Sequence, residues 1–278
     1  MTRNQPPLVS QHPPKKVFKQ ASSVLLMKNP VIALAQITYF DVSKTDNVEK
    51  IKRYIRKAKK KNADIVCFPE SCVHKSEVLY FNDKLIIEIR KECRKNSIWC
   101  IITEDIEIEG RRYNTAILID REGKIKGNYK KINPYGEEGV DAGSKVKVFK
   151  TDFAKIGIVI CWDLAFPKLF KKLKDAGTQI VFCPSQWQYE PAAHTEKHKE
   201  RETKILESLI LARAFENRYF VALCNPVVKS KRDEKYQVSY SAIASPHKII
   251  KKISGREGLI TASINLREIE KCRKIYED

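Results

Sequence analysis

The chain has 278 residues, 42% of them hydrophobic, enough to bury a sizeable core in one large domain or two ordinary ones, and 53 Lys and Arg against 34 Asp and Glu leave a net charge of +19. Eight cysteines (67, 72, 93, 100, 161, 183, 224 and 272) are scattered through apolar, strand-like runs without a CxxC pair, and the five histidines lie apart from them. That usage excludes a disulfide scaffold, leaves a Cys/His zinc site little support, and reads as a reduced, cytoplasmic protein. The basic runs 56–61 and 168–174 fall on amphipathic helical patterns, so the charge reads as solvated helix faces, and no nucleic-acid-binding signature accompanies it. No stretch has the length and apolarity of a membrane span.

Residues 1–29 are rich in Pro, Gln and Ser, with no acidic residue before Asp41, and read as a disordered basic extension. Pro7, Pro13 and Pro14 break the amphipathic helix that an organelle-targeting peptide needs. Residues 30–278 read as one domain in which strands and helices alternate. Val31 to Thr38 is the first core strand; a helix follows, capped by Asp46 and Glu49, with Val48, Ile51, Tyr54, Ile55 and Ala58 on one face. The strand Asp64 to Phe68 stops at Pro69, and Glu70 comes next.

A second helix spans about 83–96, and strands follow at 98–103, 114–119 and 125–131, the last two joined by a turn at 121–124. The second half repeats this outline: strand 156–160, helix 165–176, strand 179–183, helix 200–217, strand 219–224, and late strands near 238–244, 248–253 and 259–264. Two such halves imply two sheets packed face to face with helices outside. The run Ile156 to Ile160 ends at Cys161, and a lone cysteine there is by itself one more small buried hydrophobe. Three polar groups nevertheless sit at or just past strand ends: Glu70, Lys131 and Cys161.

Phe68-Pro-Glu-Ser71, Gly127-Asn-Tyr-Lys-Lys-Ile132 and Gly157-Ile-Val-Ile-Cys-Trp-Asp-Leu-Ala-Phe-Pro167 resemble, in order, the three signature blocks of the carbon-nitrogen hydrolase (nitrilase and amidase) superfamily. Pro184-Ser-Gln-Trp187, Ala212-Arg-Ala-Phe-Glu-Asn217 and Ser241-Ala-Ile-Ala-Ser-Pro246 are similar to its later landmarks, so that the resemblance covers about residues 31–276. It implies an α/β fold, the four-layer α-β-β-α sandwich of two mixed sheets. It also implies a homodimer or higher homo-oligomer, no cofactor and no metal.

The resemblance assigns Cys161 as nucleophile, Glu70 as general base and Lys131 as the cation. A thiol of ordinary pKa near 8.5 is mostly protonated at neutral pH, so it needs both partners. Lys131 with the backbone N–H of Trp162 is the family-like arrangement for the developing oxyanion, where one donor is worth about 3 to 4 kcal/mol. Relatives carry a further glutamate that positions the lysine. Glu137 falls in that place, with Glu138 as the neighbouring register. For the lysine itself, strand alternation allows only one of Lys130 and Lys131 to face inward, and the family pattern selects Lys131.

Tyr135, Phe166 and Trp187 are candidate pocket walls, although as aromatics they need no function beyond packing. His194 and His198 have helical metal spacing but lack a third ligand, and Arg213 with Glu216 reads as a structural pair.

Two departures bear on substrate. Asn133-Pro134 stands where the family commonly has His-Leu, and Ala165 stands where an arginine often follows the cysteine block. Loss of that cation points away from dicarboxylate amides and towards a neutral or amine-bearing amide or N-carbamoyl compound; Cys161-Trp-Asp163 is similar to the carbamoyl-polyamine branch. The expected activity is hydrolysis of a non-peptide C–N bond through a thioester. The competing readings are a nitrilase acting on C≡N and a non-catalytic or nucleic-acid-associated binding protein.

Overall fold

The computed structural model describes residues 29–38, 45–136, 138–188, 196–227 and 237–276, and the expected N-terminal extension, apart from its last residue, lies outside them. The first half runs β1 (Val31–Gln36), α1 (Val48–Lys60), β2 (Ile65–Cys67), α2 (Lys84–Asn96), β3 (Trp99–Ile108), β4 (Arg111–Ile119) and β5 (Ile125–Lys130). The second runs β6 (Val148–Lys150), β7 (Lys155–Ile158), a 3-10 turn (Cys161–Ala165), α3 (Pro167–Asp175), β8 (Ile180–Pro184), α4 (Glu196–Asn217), β9 (Phe220–Cys224), β10 (Tyr240–Ala244), β11 (Ile249–Ser254), β12 (Gly258–Ser263) and α5 (Arg267–Tyr276).

Two six-stranded mixed sheets result, ordered β12-β1-β2-β3-β4-β5 and β11-β10-β9-β8-β7-β6. In each, three parallel strands (β1, β2, β3 and β7, β8, β9) are linked by helices and continue into antiparallel neighbours. The halves are not closed on themselves. β12 leaves the meander of β10 and β11 and pairs antiparallel with β1, Ile260 opposite Leu34, so the last strand completes the first sheet rather than the second. The edge strand β6, only three residues long, and the helix α5, which buries Ile269 and Cys272 on one face, are both additions to the expected order.

Side-chain alternation builds the layers. Ile32, Leu34, Ile65, Cys67, Ile101 and Leu118 join one core with the second sheet, while Ala33, Ala35, Val66, Ile102 and Ile117 join another with Ile51, Ile55, Ile86 and Ile89 of α1 and α2. The second sheet is covered in turn by Leu169, Phe170 and Leu173 of α3 and by Leu206, Ile210 and Ala214 of α4. The architecture is an α-β-β-α sandwich. Cys224 helps seam the sheets, its thiol donating to the carbonyls of Cys67 (3.4 Å) and Ala35 (3.6 Å). All eight cysteines are free and buried, and no helix among the described residues is long and apolar enough to cross a membrane.

The helix ends follow local chemistry. Asp83 caps α2 by accepting from the Leu85 N–H at 2.8 Å. At α1, Asn47 occupies the cap but turns its Nδ2 to Cys72 O (3.2 Å) rather than capping the helix, and Asp46 accepts from Val48 N–H at 2.9 Å. Pro167 stands at the first position of α3, where its missing N–H costs nothing. This stop fixes where the turn carrying Cys161 must end.

Candidate active site

β2, β5, β7 and β8 all run in the direction that delivers their carboxyl ends to one rim of the sandwich. Chain leaving β2 brings Glu70, chain leaving β5 brings Lys131, chain leaving β7 brings Cys161, and chain leaving β8 brings Ser185 to Trp187. Such ends are where open α/β sheets collect reacting groups.

Lys131 is fully buried, and its ammonium sits between two carboxylates, 2.9 Å from Glu70 Oε1 and 2.6 Å from Glu138 Oε1. Burial works against its charge, but Glu70, Cys161 and Glu138 outweigh it and hold the ammonium well above the ordinary lysine range. Lys130 points the other way, over the ring of Tyr113 at 3.6 Å, which settles the alternation in favour of Lys131. Gly143 packs onto this strand end and donates its N–H to Lys131 O at 2.7 Å; a Cβ there would come within 2.3 Å of Lys130 O, so only glycine permits the approach.

Glu70 is held at both oxygens. Oε1 also accepts from Asn114 Nδ2 at 3.0 Å, and Oε2 accepts from the Gln186 N–H at 2.9 Å. The loop that follows it is pinned by Glu104, whose Oε2 accepts from the N–H groups of Val73 (2.8 Å) and His74 (3.0 Å); burial pushes this carboxyl up to about 8.

Cys161 opens the 3-10 turn with a positive φ of 46°, an uncommon conformation for a residue with a Cβ. Asp163 holds the turn: its Oδ2 accepts from Ile160 N–H (3.1 Å) and Tyr129 O–H (2.8 Å). Arg213 braces the same turn by donating to Leu164 O at 3.2 Å, and its 2.8 Å pair with Glu216 is structural, as expected. Burial and then the Glu70 carboxylate push the Cys161 thiol up, opposed by Lys131, the Ser185 hydroxyl and the Gln186 N–H. The balance favours the thiol over the thiolate, with Glu70 close beside the sulfur. Among the described residues the buried Ser185 Oγ has no hydrogen-bond partner, and the Trp162 N–H donates to no backbone carbonyl.

A cavity of about 510 Å³ opens onto this cluster, lined by Glu70, Cys161, Glu138 and the rings of Tyr135, Trp162 and Trp187. Tyr135 and Trp187 flank Trp162 in this lining, at ring distances of 4.9 and 5.4 Å. Phe166 does not line the cavity. The turn ends before it, leaving it 37% exposed, with its ring edge-on to Trp162 at 6.3 Å.

Glu137 lies outside the described residues, and the acid that meets Lys131 is Glu138. His194 lies outside them too, as does the side chain of His198, and no metal-binding cluster occurs among the described residues. Asn114, Asn133 and Asp163 were missed as site residues. Asp163 stands inside the Cys161 block, which was the available signal for it.

The family described as carbon-nitrogen hydrolase matches residues 31–274. The chain is 28% identical over 260 residues to 2-oxoglutaramate amidase of Bacillus subtilis, spanning 86% of this chain and 94% of that protein. It is 27% identical over 257 residues to omega-amidase NIT2-B of Xenopus laevis, spanning 83% and 87%. In fold it is similar to Saccharomyces cerevisiae Nit3, a member of branch 10 of the nitrilase superfamily, with a TM-score of 0.76 at 21% identity over 90% of this chain and 95% of that one.

Proposed function

From the premise that the chain belongs to the carbon-nitrogen hydrolase family and is a hydrolase acting on amides, we propose that Cys161 attacks the carbonyl of a small amide or N-carbamoyl compound and carries its acyl group as a thioester. The observation that carries this reading is the ammonium of Lys131 wedged between Glu70 and Glu138 beside the Cys161 thiol, directly behind the lining of the cavity onto which Glu70, Glu138 and Cys161 open.

Glu70 takes the thiol proton as Sγ bonds to the carbonyl carbon, and the charge thrown onto the oxygen is met by Lys131 and the Trp162 N–H. Collapse breaks the C–N bond, and the proton on Glu70 goes to the departing nitrogen, releasing ammonia or an amine. Water then adds to the thioester carbonyl, giving its proton to Glu70. The C–S bond breaks, the acid or carbamate leaves, and the proton returns to sulfur. Glu138 shares Lys131 with Glu70, so Lys131 stays an ammonium whichever way Glu70 is protonated.

The name of the Bacillus subtilis relative supports amide hydrolysis here and no particular substrate. Incubation with simple amides followed by intact-mass analysis tests the reading: an acyl adduct should form on the protein and vanish in Cys161→Ala, with ammonia release lost alongside it. An adduct that survives in Cys161→Ala would place the nucleophile elsewhere.

A further inference from the structure

The cavity is acidic in a protein that is otherwise strongly basic. Glu70, Glu138, Asp105 and Glu202 contribute carboxylates to its lining, and no Lys or Arg among the described residues lines it. Behind the lining, Lys131 serves Glu70 and Glu138, and the half-exposed Arg112 pairs with Asp105 Oδ2 through two bonds. Among the described residues, the ion pairs set two cations, Lys131 and Arg112, against four lining carboxyl groups. Glu202 has no cationic partner among the described residues; its Oε2 accepts from Trp187 Nε1 at 3.1 Å.

Among the side chains that line the cavity, the unmet hydrogen-bonding capacity has the same sign. Asp105 Oδ1, Asn114 Oδ1 and Glu138 Oε2 are buried without a partner, and all three are acceptors. A ligand that supplies only acceptors leaves them unsatisfied, and a carboxylate adds repulsion. The aromatic wall works in the same direction: the indoles of Trp162 and Trp187 adjoin at 5.4 Å, and the face of an indole attracts a cation while its N–H here fixes a carboxylate beside it. Ala165 does not itself line the cavity, so the preference is carried by the groups that do.

We infer that the substrate carries a protonated amine at the end remote from its reacting amide, seated against Glu202 and the indole of Trp187. This rests on the amide-hydrolase reading above and narrows it to alkylammonium amides and carbamoyl amines, to the exclusion of monoamides of dicarboxylic acids. Glu202 reaches the site from α4, so it selects substrate without taking part in bond breaking.

Three amides of matched length test it: pentanamide, 5-aminopentanamide and glutaramate, followed by ammonia release with the full-length protein. The expected kcat/KM for 5-aminopentanamide exceeds that for pentanamide by about tenfold or more, the scale of one charge-assisted hydrogen bond, and glutaramate is the poorest of the three. In Glu202→Gln the ratio of 5-aminopentanamide to pentanamide should fall towards one. Preference for glutaramate, or a ratio untouched in Glu202→Gln, overturns the inference.

Binding of the same three compounds to Cys161→Ala, measured by calorimetry, separates the two readings. Tightest binding of 5-aminopentanamide upholds the cation site even if the wild-type protein releases no ammonia, in which case only the hydrolase mechanism falls. Tightest binding of glutaramate overturns the cation site whatever the turnover.

Discussion

Asp163 and Asn133 tie the turn that carries Cys161 to the chain leaving Lys131: both the N–H (2.9 Å) and the Nδ2 (2.8 Å) of Asn133 donate to Asp163 Oδ1. With Ile160 N–H and Tyr129 O–H on the other oxygen, the fully buried carboxylate receives four bonds from three residues. Asn133, which departs from the commoner family residue, thereby acts as a clamp between nucleophile and cation. Asp163→Asn cannot accept all four donors and should cost about 2 to 3 kcal/mol of stability. Because the clamp sets geometry and does not face the cavity, kcat should fall with little change in KM. Thermal unfolding and steady-state kinetics together check this; a fall in KM-dependent binding alone would contradict it.

Lys131 answers to two carboxylates at once, so replacing it does more than remove a catalytic group. Lys131→Met leaves Glu70 and Glu138 facing each other in a buried site without a counter-charge, which should destabilise the fold by about 3 to 5 kcal/mol. Glu138→Gln leaves the Glu70 partner in place and should be much milder in stability. Its cost should fall on ammonia release, at roughly tenfold to a hundredfold for a positioning contact. Equal destabilisation in the two variants, read by chemical denaturation, would mean that the cluster is not charge-balanced as described.

Glu104 provides a pH signature. Its carboxyl is pushed from an ordinary value of 4.5 up to about 8 in the fold, so the folded protein holds a proton that the unfolded chain releases between those values. The contribution to stability is therefore full below about pH 4.5, declines as pH rises, and is lost above about pH 8. The slope is at most about 1.4 kcal/mol per pH unit. Unfolding midpoints measured from pH 5 to 9 should show this decline, and Glu104→Gln should flatten it. An unchanged slope in that variant would assign the decline to other groups.

Glu70 and Cys161 closely follow the apolar runs 65–68 and 156–160, and a run's end is a position that a sequence marks well. Lys131 follows the mostly polar strand Ile125–Lys130, which has no such run, and only the resemblance of its block to the family pattern points to it. The choice between Glu137 and Glu138 was not legible. They stand between Gly136 and Gly139, both at positive φ (56° and 64°), and irregular backbone of that kind has no periodicity from which the sequence could single out Glu138. The pairing of β12 with β1 was hidden for a different reason: three late strands of similar length fit one meander equally well, and only the burial of Ile260 and Ala262 in the core shared by the two sheets distinguishes the crossing. Asn114 acts through Glu70, 44 residues away, and Asp163 through Tyr129 and Asn133 as well as its neighbour Ile160; the distant contacts have no local pattern, so only the place of Asp163 inside the Cys161 block marks it.

Ser185 offers a test of how the thiol is activated. Its buried hydroxyl has no hydrogen-bond partner among the described residues, and it lies near enough to Cys161 to favour the thiolate, as the Gln186 N–H does. Removing a donor from the charged form raises the pKa, so Ser185→Ala should move the pH profile of Cys161 alkylation by iodoacetamide to higher pH. The other seven cysteines are also buried, so the rate must be read on the Cys161 peptide itself. Turnover of a neutral amide at pH 7 should drop with the thiolate population while KM stays near its original value, because Ser185 is not among the residues lining the cavity. A Ser185→Ala variant that alkylates along the wild-type profile would leave Lys131 and the Gln186 N–H as the groups that make the sulfur reactive.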